Sequence, residues 1–73
     1  MPELYSSNQI SNVLKIFQFN LVSQKGSHGK FKNSSGKTVI LPMNKKEIPK
    51  GTFNSILKQA NITQKEFEDN VSS

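Results

Sequence analysis

The chain has 73 residues, with ten Lys against five acidic residues, a net charge of +5, and neither Arg nor Cys. That length holds one small domain, 1–73, with a thin core, and the lack of Cys excludes disulfides and Cys-based zinc sites. No window approaches the roughly eighteen apolar residues of a membrane-spanning helix, and the opening MPELYSSNQ lacks the basic-then-apolar order of a signal peptide, so a cytoplasmic location is expected.

Ser6-x-x-Gln9 has the spacing of a capping box, with Tyr5 and Ile10 at the flanking staple positions. Ile10, Val13, Leu14 and Phe17 then recur at one-face helical spacing, which predicts a first helix over 6–17. Phe19–Lys25 reads as a strand, and Gly26-Ser27 as a turn. From His28 to Asn33 the side chains alternate. His28, Lys30 and Lys32 point one way, and Gly29, Phe31 and Asn33 the other. Asn33–Gly36 is a hairpin loop, and the β-branched run Thr38–Leu41 is a third strand ended by Pro42.

Met43–Gly51 is a basic connection. Phe53, Ile56, Leu57 and Ala60 restore the helical spacing and place a second helix over 50–60, with Asn61 as its C-cap. Thr63-x-x-Glu66 is a second capping box, stapled by Ile62 and Phe67, and starts a short acidic helix. Two amphipathic helices need an apolar surface each, and a three-stranded meander offers both of them one face. The expected fold is therefore α+β, a two-layer α-β-β-β-α sandwich with a short C-terminal helix. The second sheet face is left to solvent or to a partner.

The charge is uneven. Residues 24–50 hold seven Lys against Glu47, a local +6, whereas residues 1–23 are neutral and 51–73 sum to −1. A solvated basic face is the simplest reading of such a run, but clustering without interleaved acids points to a polyanionic partner. Because Arg is absent, bidentate base reading is weak, and phosphate tracking is favoured.

Alternation sets the one imidazole, His28, among Lys30 and Lys32 on the open face, just after Lys25 and the amides of Gly26 and Ser27. A lone His is most often a bystander. In this setting it also suits RNA cleavage, by taking a proton from a 2′-OH or protonating the leaving 5′ oxygen. The lysines would offset the charge that builds on phosphorus. That chemistry needs no cofactor. With a single His and scattered carboxylates, no transition-metal site is expected.

The string Gln24-Lys25-Gly26-Ser27-His28-Gly29-Lys30-Phe31 resembles the signature of the HicA (YcfA-like) mRNA interferase toxins. Leu41-Pro42-Met43, Lys46–Thr52, Ile56–Ala60 and Glu66-Phe67 also resemble it, in order, so that the likeness runs from about residue 3 to 69. The resemblance implies a double-stranded-RNA-binding-like fold and the toxin half of a type II toxin–antitoxin pair. The partner it implies is a HicB-like antitoxin covering the active face, and the substrate is mRNA, cut without a metal. It assigns catalysis to His28, and the basic stretch around it makes Lys25, Gly26, Ser27, Lys30, Lys32, Lys45 and Lys46 the expected RNA-binding residues.

Two positions depart from the family pattern. Gly29 stands where many members carry a second His, and Asn44 occupies the region of another. If the latter His is the general acid, Lys30, Lys45 or solvent must protonate the leaving group here. Two further readings compete with the nuclease. One is a double-stranded-RNA-binding module without catalysis, and the other is a protein-interaction domain whose lysines dock an acidic partner.

Overall fold

A computed structural model describes residues 4–71. Helix α1 (Ser7–Ile16) is followed by strands β1 (Asn20–Lys25), β2 (His28–Lys32) and β3 (Thr38–Pro42), and then by helices α2 (Lys50–Ala60) and α3 (Gln64–Asn70). The strands form one antiparallel sheet in the order β1-β2-β3. This is the expected α+β sandwich of the double-stranded-RNA-binding type.

Local chemistry sets the helix ends. Ser6 Oγ accepts from the Gln9 N–H (3.1 Å) and Gln9 Oε1 from the Ser6 N–H (2.9 Å). Thr63 and Glu66 repeat this box at α3, at 3.1 and 2.8 Å. Such caps stabilise a helix by about 1 kcal/mol. At the end of α1, Phe19 N–H donates to the Leu14 C=O (2.8 Å) and Gln18 N–H to the Lys15 C=O (2.9 Å). That is the Schellman pattern, with Gln18 in the left-handed conformation (φ 70°). Helix α2 closes the same way: Ile62 bonds back to Leu57 (3.0 Å), Asn61 to Lys58 (3.2 Å), and Asn61 has φ 58°. The first of these turns withdraws Phe19 from β1 and buries it in the core.

The core lies between the sheet and the helices. Ile10, Val13 and Leu14 of α1 and Phe53, Ile56, Leu57 and Ala60 of α2 meet Phe31, Val39 and Leu41 of the sheet. Phe19, Ile48, Ile62 and Phe67 complete it. Tyr5 packs beyond its staple position. Its ring lies 5.3 Å from that of Phe53 and 4.8 Å from that of Phe67, and the latter two are 4.9 Å apart. Ring clusters with this spacing add to simple burial.

The two sheet edges are treated differently. On β3, Gln59 of α2 accepts the Ile40 N–H (3.1 Å), and Ser7 Oγ of α1 donates to the Pro42 C=O (2.7 Å). Pro42 itself has no N–H to expose. Strand β1 is exposed along all six residues, and no described element covers its outer edge. Its register slips between Leu21 and Ser23, so that Val22 bulges out of the ladder.

Candidate nucleic-acid interface

The β1–β2 connection is a two-residue turn joining the paired residues Lys25 and His28. Gly26 has φ 59°. Of the two central residues only the first has a positive φ, which is the type II′ geometry that prefers Gly there. A Cβ at Gly26 would meet nothing within 4 Å, so its backbone angle, not crowding, calls for glycine. This turn sets His28 at the first position of β2.

Pairing then arranges the open face in three rows. His28 lies between Lys25 and Pro42, Lys30 between Ser23 and Ile40, and Lys32 between Asn20 and Thr38. Directly paired side chains on one face are about 5 Å apart at Cβ. His28, Lys25, Lys30 and Lys32 are exposed, while the intervening Gly29 and Phe31 are buried. The predicted alternation of β2 is thus present residue for residue.

No carboxylate lies in these rows. Among the described residues the one ion pair is Lys65–Asp69 on α3, at 3.3 Å and largely exposed. The lysines of the sheet therefore present an unneutralised field. Lys45 and Lys46 lie elsewhere, in the connection after β3. Ser7 and Lys45 bond backbone to backbone (Ser7 N–H to Lys45 C=O, 2.9 Å), and Ser7 Oγ accepts the Lys45 N–H (2.9 Å). The same hydroxyl donates to Pro42, so a buried Ser ties this connection to α1 next to the partner of His28.

The two departures from the family pattern have distinct settings. Gly29 faces the helices, and a Cβ there would lie 2.9 Å from Met43 Sδ and 3.0 Å from Leu21 Cδ1. A side chain at 29 would start on the side of β2 opposite His28. Asn44 follows Met43, whose N–H donates to the Ser27 C=O (2.6 Å), and has φ 61°. Asn and His adopt that conformation more readily than most residues.

Lys15 and Gln18, beyond the rows, and Asn20, at the end of one, carry no sequence motif. The turn at the end of α1 brings them together with Val22, Lys32 and Asn33 around an open groove of about 560 Å³. Hydrophobic periodicity marked only the buried face of α1, so nothing in the sequence singled out Lys15 or Gln18.

A meander with helices on one face and a cationic, acid-free second face defines a small basic domain whose fold is like that of double-stranded-RNA-binding domains. A family model described as the HicA toxin of bacterial toxin–antitoxin systems matches residues 7–62. The chain belongs to the HicA toxin family, and that membership implies an antitoxin partner. The match spans all three rows of the open face and stops short of α3. Comparison with curated proteins finds no match. No helix among the described residues is long and apolar enough to cross a membrane.

Proposed function

We propose that the chain is an endoribonuclease toxin that cuts mRNA with His28 as its catalytic residue. One observation carries this reading: the single imidazole stands exposed between paired neighbours on a lysine-bearing face free of carboxylates. RNA laid along β2 brings a phosphodiester to His28. The imidazole takes the proton of the 2′-OH, and the 2′ oxygen attacks phosphorus. The bond to the 5′ oxygen breaks, leaving a 2′,3′-cyclic phosphate on one fragment. The departing oxygen takes up a proton from Lys30, Lys45 or solvent and becomes a 5′-OH. Lys25 and Lys30 stabilise the charge that develops on the phosphoryl oxygens. Lys32, Lys46 and the Gly26-Ser27 turn hold the flanking backbone. All of these proton transfers run through side chains and solvent, so the step calls for no cofactor.

The antitoxin is a HicB-like protein whose acidic surface covers this face, and it acts by denying RNA access to His28. Induction of the wild type and of His28→Ala in growing cells, together with cleavage assays on pure protein, tests the reading. Wild type arrests growth and cuts RNA, and His28→Ala does neither. An RNA with 2′-deoxy at the cut site resists cleavage. A wild type that binds duplex RNA tightly yet leaves it intact would instead mark a non-catalytic binding module.

A further inference from the structure

We propose that the groove between the end of α1 and the β2–β3 hairpin is a second nucleotide subsite. It takes one phosphate and one unpaired base of the RNA strand that is cut at His28, and so rests on the ribonuclease reading. Asn20 and Lys32 form the row of the open face farthest from His28. Lys32 lies four residues along β2 from His28, about 13 Å at the rise of a strand, with Asn20 of β1 paired beside it. One strand following β2 meets both places, a few nucleotides apart.

The lining has the chemistry of a nucleotide. Lys15 and Lys32 supply two cations for a phosphate. Gln18 and Asn20 supply amides, each with a donor and an acceptor for a base edge. Val22, 55% exposed, offers an apolar surface for a base face. Among the described residues, no hydrogen bond or ion pair engages the side chains of Lys15, Gln18, Asn20 or Lys32. No carboxylate lines the groove.

Two irregularities of the backbone deliver these side chains. Gln18 holds the left-handed position that ends α1, where Gly avoids the steric cost of a Cβ. Val22 is the bulged residue of β1, and bulges re-aim side chains at the cost of ladder bonds. Gln18 departs from the least strained backbone and Val22 from the regular ladder, and each places a side chain in the same groove. Strained positions gather where function needs them.

The test compares cleavage of mixed-sequence ten-nucleotide RNA with cleavage of mixed dinucleotides, using the full chain. In wild type the ten-mer has the higher kcat/KM. In Lys15→Ala/Gln18→Gly the ratio of the two kcat/KM values falls at least fivefold, through KM of the ten-mer. The slope of log KM for the ten-mer against log salt falls by about 0.7, the share of one phosphate contact on a single strand. Gln18→Gly alone relieves the left-handed strain and raises the melting midpoint, so its loss of ten-mer preference cannot be a folding defect. An unchanged ratio in an active protein overturns the subsite and leaves the ribonuclease reading standing. A wild type that cuts neither substrate overturns both.

Discussion

Ser7 and Lys45 are held to each other by two hydrogen bonds of 2.9 Å across 38 residues of sequence. The first joins the Ser7 N–H to the Lys45 carbonyl, and the second joins the Lys45 N–H to Ser7 Oγ. The hydroxyl then reaches Pro42, the cross-strand partner of His28. One buried side chain thereby fixes where the basic connection leaves the sheet beside the imidazole. Ser7→Ala removes both hydroxyl bonds and leaves the Lys45 N–H and the Pro42 carbonyl short of partners. The expected cost is about 2 kcal/mol, measured by denaturant melting, with faster amide exchange at Lys45. Ser7→Thr, which keeps the hydroxyl, recovers part of the exchange protection. If the Lys45 amide is equally protected in Ser7→Ala, the clamp is not what holds the connection.

His28 is exposed, and no hydrogen bond or ion pair of its side chain joins it to another described residue. His28→Ala should therefore change stability by less than about 0.5 kcal/mol. Cleavage should fall by a factor on the order of 100 or more, the span of general acid–base catalysis. Thermal melts run beside cleavage time courses separate the two effects. An active His28→Ala would remove the imidazole from the mechanism.

Gly29 is crowded from the helix side by Met43 and Leu21. Gly29→Ala should cost about 1 kcal/mol, because Met43 has to move to admit a methyl group. In a Met43→Ala background the cost should shrink by at least half, and a double-mutant cycle measures that coupling. Strictly additive effects would show that the contact does not control the site.

The lysine rows set a prediction about salt. Lys30→Ala and Lys32→Ala should each lower the slope of log affinity for single-stranded RNA against log salt by about 0.7. Lys65→Ala should leave it unchanged, since Lys65 is paired with Asp69 on α3, in the layer opposite the open face. Fluorescence anisotropy with an RNA carrying 2′-deoxy at the cut site gives these slopes without cleavage. Equal slopes for all three variants would mean that the rows do not track the backbone.

Much of the fold is legible in the sequence because its signals are local. The two capping boxes use residues three apart, and the apolar spacing of α1 and α2 repeats within one or two turns. The alternation from His28 to Lys32 needs only the period of a strand. These signals place His28, Lys30 and Lys32 on the face opposite Phe31 without any tertiary contact. The Gly at 26 likewise announced the turn that sets His28 beside Lys25.

Other features depend on residues that meet only after the chain has folded. Ser7 looks like a second Ser beside a cap, and its role comes from Pro42 and Lys45, more than 30 positions away. Phe19 reads as strand by composition, yet the hydrogen bonds that close α1 draw it into the core. Gln rarely takes a left-handed angle, so the sequence carries no sign that Gln18 turns the chain and joins Lys15, Asn20 and Lys32 around one groove. The elements, their order and the side of β2 that His28 occupies can be read from the residues alone, because they follow from short-range periodicity and capping. What backs Gly29, what clamps the connection after Pro42 and where the basic face continues depend on the folded chain, because packing between distant segments selects those neighbours.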